Sequence, residues 1–349
     1  MENIKVVLWG LGSMGSGMGK YLVHKKGIEI VGAIANREEK VGKDLGEILG
    51  LDRTMNIKVT NKPETVINKY VDVDIVLHAT SSFVEETYPQ LKQIIENGAN
   101  VISIAEEITY PFIAAPELSK KLDELAKKNN VSVLGTGINP GFVLDLLIIC
   151  LSGACVEVEK IEATRINDLS PFGPSVMKTQ GVGTTVEEFE KGIKAGSIVG
   201  HIGFKESINM IADRLGITLD KIEESREPIV SKTYRETPYV KVEPGMVAGC
   251  KHIARGFNKK EEVIVFEHPQ QIYPEKEGTE TGDYIKIKGI PEINMAIKPE
   301  ISGGIGTMAI AINMIPVILK AKAGLLTMKD LPVPAAMLGD VKKLMEKMK

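Results

Sequence analysis

Gly10-Leu11-Gly12-Ser13-Met14-Gly15 is the first group whose residue types and spacing can do chemistry. This G-x-G-x-x-G pattern follows the apolar run Val6-Val7-Leu8-Trp9 and opens a helical stretch running to about Lys25. In that setting Gly10 permits a tight strand-to-helix turn, Gly12 lets backbone approach a pyrophosphate, and Gly15 allows close helix–strand packing. Leu11, Ser13 and Met14 complete the turn. The helix N-terminus that follows offers free N–H groups and a positive dipole end to phosphate. The second apolar run, 28–35, ends at Asn36-Arg37. An NAD-specific site usually has an acidic residue there, ~20 residues past the glycines, on the ribose 2′-hydroxyl. An acid would repel a 2′-phosphate, whereas Asn36 and Arg37 would not, so NADP is expected to be accepted alongside NAD. Ala79-Thr80-Ser81-Ser82 offers small hydroxyls to the nicotinamide ribose, and equally to capping the helix that begins near Val84.

Nicotinamide chemistry leaves the protein to orient reactants and handle protons. Glu106-Glu107, after the strand-like run 100–104, are the best-placed titratable groups. A carboxylate raised toward neutrality by burial takes a proton from an ammonium or from an attacking water. The two adjacent side chains should diverge, with one facing the site. The turn Gly137-Ile138-Asn139-Pro140-Gly141-Phe142 builds a rigid pocket wall and also starts a helix. The chain has no G-x-S-x-G, H-E-x-x-H or Walker pattern, and its five histidines (His24, His78, His201, His252, His268) show no metal spacing. They read as structural or exposed, and no metal is expected.

The elements that must position these residues alternate in the first half. Strand-like runs at 28–35, 57–59, 74–79, 100–104 and 131–134 are separated by helical patterns such as 84–96 and 116–128. This is the signature of parallel βαβ units covered on both faces, and so of a Rossmann-type sheet. From about residue 155 longer alternating stretches (159–165, 247–255, 262–267, 284–288, 293–298) read as mainly antiparallel strands, with helices near 186–194 and 205–215. The expected organisation is a dinucleotide-binding domain over 1–145, an α+β substrate and oligomerisation domain over 146–302, and a helical segment over 303–349 that returns to the first domain. Residues 305–319 are apolar, but ~15 residues interrupted by Asn313 and Pro316 are too few to span a bilayer.

Composition excludes other classes. The chain has 349 residues, a formal net charge of −3 and 5% aromatics, so nothing points to nucleic acid or an anionic membrane. Three cysteines are no disulfide scaffold, and Cys150 and Cys155, among apolar and small residues, read as buried thiols. The N-terminus runs straight into a strand without a signal-peptide pattern. A soluble, cytoplasmic protein is expected.

The chain resembles the 2,4-diaminopentanoate dehydrogenase family and its NAD(P)-dependent amine dehydrogenase relatives, and in its first domain the dihydrodipicolinate reductases. The residues that carry the resemblance are Gly10 to Gly15, Glu106-Glu107, Gly137 to Phe142, Asn313-Met314-Ile315-Pro316, Gly324-Leu325-Leu326-Thr327 and Asp330-Leu331-Pro332. They span essentially the whole chain. The resemblance implies reversible oxidative deamination at C4 of 2,4-diaminopentanoate, giving 2-amino-4-oxopentanoate and ammonia, with NAD(P)+ as hydride acceptor, as in ornithine degradation. It also implies a pocket glutamate that binds the amine, a role open to Glu106 or Glu107. The His and Lys-x-x-x-Lys elements of dihydrodipicolinate reductases are missing.

A diamino acid carries one carboxylate and two ammonium groups, and buried charges need partners. Arg165 can fork to the carboxylate, and Asn167 or Asp168 can hold the α-ammonium. Arg165 and Asp168 can equally form a surface salt bridge. Asn139, Pro140 and Phe142 line the pocket, and Thr179 follows a Pro/Gly-rich loop able to close over it. Because hydride leaves an uncharged amine, alkaline pH is expected to favour deamination. A homodimer through the second sheet is expected. The alternatives are a dihydrodipicolinate-type reductase, an amine dehydrogenase with another amine, and a non-catalytic NAD(P)-binding sensor.

Overall fold

The computed structural model describes residues 2–68 and 71–348. Its strands, in chain order, are β1 (Ile4–Trp9), β2 (Ile28–Ile34), β3 (Ile75–His78), β4 (Asn100–Ser103), β5 (Ser132–Gly135), β6 (Glu157–Asp168), β7 (Lys221–Val230), β8 (Arg235–Glu236), β9 (Lys241–Val242), β10 (Val247–Asn258), β11 (Glu261–Gln271), β12 (Gly282–Ile290), β13 (Ile293–Ile297) and β14 (Gly324–Leu326). The chain divides into two compact units, Met1–Phe142 with Gly303–Lys349, and Val143–Ser302.

The first unit holds a six-stranded sheet in the order β14-β5-β4-β3-β1-β2, parallel throughout. Its short strands are almost wholly buried, as a parallel sheet with two covered faces requires. On one face Val7, Val76, Val101 and Val133 pack with Leu91, Ile94, Ile95 and Leu122 from the helices Val84–Glu96 and Pro116–Lys128. The first helix, α1 (Ser13–Leu22), buries Met18 and Leu22. It stops short of the expected Lys25, where i→i+3 bonds tighten the chain into turns (His24 N–H to Tyr21 O, Lys25 N–H to Leu22 O).

The expected strand at 57–59 is not part of the sheet. Thr60 bridges Ile34, and Lys58 bridges Asp44, so this segment ties the end of β2 to the loop beside it. Between Asn56, with φ 58°, and the 3-10 turn starting at Pro63, only a few extended residues fit. The sixth strand is instead β14, three residues from the C-terminal segment. That segment also packs on α1, and a methyl group added at Gly17 would lie 2.1 Å from Met308 Sδ. The apolar stretch after 302 forms two helices, Gly303–Asn313 and Ile315–Ile318. Pro316 lacks an N–H and its ring crowds the carbonyl four residues back.

The second unit holds a mixed sheet in the order β13-β12-β6-β11-β10-β7. All neighbours are antiparallel except β6 and β11. On β6, Ile161, Ala163, Arg165 and Asn167 are buried while Glu162, Thr164 and Ile166 alternate to the other face, the period of two that a strand imposes. The charged β7 is an edge strand, which is where Pro228 is tolerated. A two-stranded ribbon, β8–β9, lies over a second cluster of Leu169, Met177, Val242, Ala248 and Ile272. Arg235 of β8 is fully buried and pairs with Glu277 at 2.8 Å.

The cysteine expectation needs correction. Cys250 is buried, but Cys150 is exposed and Cys155 half-buried. Cys150 lies on the outward side of the short helix Leu146–Ser152, which buries Leu146 and Ile148.

Candidate functional site

In the first unit the chemistry-bearing residues gather at the C-terminal ends of the parallel strands, where ligands of open α/β sheets bind. Gly10 has φ +95°, and a methyl group on it would lie 2.1 Å from Ala79 O. One on Gly15 would lie 1.7 Å from Gly10 O. Gly12 differs: it caps α1 without a side-chain hydrogen bond, and its missing methyl would meet nothing within 4 Å. Two glycines close the turn, and the third leaves the space above the helix N-terminus open. Leu11 is buried, and its carbonyl accepts from the Ser16 hydroxyl at 3.0 Å and from the Lys40 ammonium. Ser13 is exposed and Met14 half-buried, the latter against Gly304.

Asn36 and Arg37 are exposed, and the Glu39 carboxylate lies 4.0 Å from Arg37 Nη1. Lys40, which the sequence reading did not single out, brings an ammonium from this loop onto the glycine turn.

Past β3, Ala79 is half-buried and Thr80 exposed. Thr80 Oγ1 lies 2.8 Å from Gln90 Oε1 and 3.0 Å from His78 Nε2. Ser81 Oγ accepts from Phe83 N and donates to Glu86, so it does not cap the helix Val84–Glu96, whose N-cap residue Phe83 carries no side-chain cap.

The two adjacent glutamates diverge. Glu107 Oε2 accepts the Val84 N–H at 2.8 Å and so holds the first turn of the helix Val84–Glu96. Burial pushes the Glu106 carboxyl above its ordinary value, against the pull of a Ser82 hydrogen bond and its own N–H, and the Glu107 charge adds to the rise. Glu106 opens a 3-10 turn, Glu106–Thr109. Gly135 lets that turn sit against β5, since a methyl group there would lie 2.1 Å from Ile108 C. On the next strand end Asn139 has both side-chain polar atoms buried without a hydrogen-bond partner, an arrangement that costs free energy unless a ligand meets it. Pro140 is buried and Phe142 half-buried beside it.

In the second unit Arg165 and Asn167 share the buried face of β6, and Asp168 alternates away from them. Arg165 is buried, paired with Asp283 and donating to Ile301 O, while Ile301 N–H binds Asp283 at 2.9 Å. Asp168, on the other face of β6, accepts from Ser170 N at 2.8 Å and Tyr273 N at 3.0 Å. The Thr179 hydroxyl donates to Val176 O.

Beside Asn167 lie residues that sequence reasoning missed. His268 Nε2 is 2.9 Å from Asn167 Oδ1, the His201 and His268 rings are 5.0 Å apart, and His252 Nδ1 accepts the His201 N–H at 2.9 Å. With Nε2 donating to Asn167, His268 presents a bare Nδ1. That atom and His201 Nε2 are buried without partners. Burial, reinforced by the neighbouring charges, lowers His201 and His252 to about 3 and His268 well below its usual value, so all three rings are neutral at pH 7. The available signal was period two: Ile264, Phe266, His268 and Gln270 alternate inward along β11, and register sets His268 opposite His252. Among the described residues no group of three or more His, Cys, Asp or Glu is placed to hold a metal.

Known proteins resemble this chain over nearly its whole length. Residues 142–347 match the family model of the 2,4-diaminopentanoate dehydrogenase C-terminal domain, and residues 4–105 that of the dihydrodipicolinate reductase N-terminus. The chain is 47% identical to a 2,4-diaminopentanoate dehydrogenase of Acetoanaerobium sticklandii, over 99% of this chain and 98% of that one. It is 25% identical to an amine dehydrogenase of Streptomyces virginiae over 95% and 97%. Among solved structures, an amine dehydrogenase from Mycobacterium smegmatis superposes with a TM-score of 0.85 at 27% identity, covering 97% and 98% of the two chains.

Proposed function

The chain belongs to the 2,4-diaminopentanoate dehydrogenase family, and from that premise we propose that it oxidatively deaminates the C4 amine of 2,4-diaminopentanoate, reversibly, with NAD(P)+. The products are 2-amino-4-oxopentanoate and ammonia. The turn around Gly12 fits a dinucleotide, which when bound supplies the hydride acceptor. Asn36 and Arg37 accommodate a 2′-phosphate, and Lys40 adds positive charge at the glycine turn, so both NAD and NADP serve, with NADP favoured.

The observation that carries the assignment is the split between the two glutamates. Glu107 is engaged with the Val84 N–H, while Glu106 combines a desolvated carboxyl with a raised proton affinity. A carboxylate so tuned accepts the proton released as the substrate ammonium becomes a neutral amine and passes it to solvent; ionised again, it takes the proton of the water that attacks the iminium carbon and gives that proton to the nitrogen that departs as ammonia. Asn139 supplies a buried amide at the adjacent strand end.

We further propose that the enzyme acts in the cytoplasm as a homodimer. The outer face of the second sheet carries Glu162, Thr164, Glu267, Tyr284 and Lys286 around a shallow groove, a mixed-charge surface suited to a second copy; sedimentation velocity tests this.

The activity itself is tested in reverse. Oxidation of NAD(P)H with 2-amino-4-oxopentanoate should require ammonia and consume one equivalent. Oxidation at the same rate without ammonia would indicate a carbonyl or double-bond reductase instead.

A further inference from the structure

His78 ends β3 with its side chain fully buried, and the mechanism above does not use it. Its ring has two sets of partners. Nδ1 lies 3.0 Å from Ser103 Oγ, and that same hydroxyl accepts the Ala105 N–H at 3.2 Å, so its proton points to the imidazole. Nε2 lies 2.6 Å from Gln90 Oε1, an acceptor, and therefore carries the ring proton. Thr80 Oγ1 closes the triangle, 3.0 Å from Nε2 and 2.8 Å from Gln90 Oε1. The groups meeting the ring polar atoms are thus Ser103, Gln90 and Thr80, none charged, and Trp9 lies edge-on at 6.2 Å.

These contacts form a closed ring of elements. His78 binds Gln90 on the helix Val84–Glu96, whose first N–H is held by Glu107. Glu107 follows Glu106 and Ala105, and Ala105 returns through Ser103 to His78. Inside the ring lies Ser82, whose carbonyl accepts the Glu107 N–H at 3.1 Å and whose side chain bonds Glu106. A buried polar group is costly unless every partner is in place, so such a network holds one geometry rather than several.

We propose that His78 is a positioning residue for the reaction: one neutral imidazole that fixes the loop 79–82 and the turn carrying Glu106 in a single arrangement. The inference rests on the assignment of Glu106 above. The imidazole is fully buried; it acts through Ser103 and Ala105 on one side and Gln90 and Thr80 on the other. Because catalysis is sensitive to displacements near 1 Å, loosening the ring should lower turnover without abolishing binding.

The test compares His78→Leu, His78→Asn and Ser103→Ala in the full-length protein. Deamination of 2,4-diaminopentanoate gives kcat. NADPH affinity is read by energy transfer from Trp9, the only tryptophan. His78→Leu and Ser103→Ala should each lose about 10-fold or more in kcat while NADPH affinity changes by less than about 3-fold. His78→Asn, which keeps an acceptor toward Ser103, should regain most of the lost kcat. Ser103→Ala leaves the ring in place and decides the matter if His78→Leu does not fold. An active wild type whose Ser103→Ala variant keeps full kcat, or whose Asn and Leu variants are equal in kcat, would overturn the inference alone. A wild type inactive with this substrate would overturn the functional reading and this inference with it.

Discussion

Glu106 is the residue where stability and chemistry pull in opposite directions. Its carboxyl holds a proton more tightly in the folded chain than its ordinary value of 4.5. Its contribution to stability is therefore complete below pH 4.5 and is lost as pH rises through the folded value. Glu106→Gln removes a group that must ionise against burial, so at pH 7 to 8 this variant should melt at or above the wild-type temperature. A melting temperature several degrees lower would show the carboxylate to be paired, contrary to this account. The sequence placed Glu106 and Glu107 at a strand end, but their division of labour was not legible there. It depends on where Val84 N and Ser82 lie, and those come from a different loop. Asp168 shows the converse. It follows Asn167 directly, yet period two sends it to the other face of β6, to Ser170 and Tyr273.

At the scale of elements, the glycine turn was legible nearly in full, because a strand, three spaced glycines and a helix form one contiguous signal. The structure adds what each glycine does. Gly12→Ala places its methyl in open space, so stability should stay within about 0.5 kcal/mol while NAD(P)H affinity falls. Gly15→Ala drives its methyl into Gly10 O and should lower both. Thermal melts beside cofactor titrations separate the two, and equal loss of stability in both would contradict the assignment of Gly12 to the pyrophosphate. Other elements were hidden for physical reasons. β14 is three residues long and pairs only because the C-terminal segment delivers it to β5. The histidine cluster comes from three distant segments, the loop at His201, β10 and β11, and only strand register joins them.

At the scale of the whole molecule, the second unit carries buried charge within its fold. Arg235 is enclosed by Ser231, Gln271 and Ile272 as well as Glu277. Burial pushes the Glu277 carboxyl up, but Arg235, the Lys232 N–H and Ser231 outweigh it and hold it at about 2. A carboxylate lowered in this way stabilises the fold above pH 4.5, and the stabilisation is lost as pH falls toward 2. Glu277→Gln strands a buried guanidinium and should cost about 3 kcal/mol at pH 7. It should also flatten the loss of stability between pH 4.5 and 2. Denaturant titrations at both pH values check this, and an unchanged midpoint at pH 7 would show the pair to be dispensable. The sequence signals that bear on the two units are the change of texture near residue 155 and the apolar stretch after 302. The fate of that stretch as two helices was decided by Pro316.

The most direct measurement is the initial rate of NADP+ and NAD+ reduction with 2,4-diaminopentanoate for the wild type, Glu106→Gln and Glu107→Gln. Removing the proton acceptor should cost 10²–10⁴-fold in kcat. Glu107→Gln, which keeps an acceptor for the Val84 N–H, should stay within about 10-fold of wild type. Wild-type turnover abolished only in Glu106→Gln is the result this account requires. Turnover that survives Glu106→Gln unchanged would contradict it.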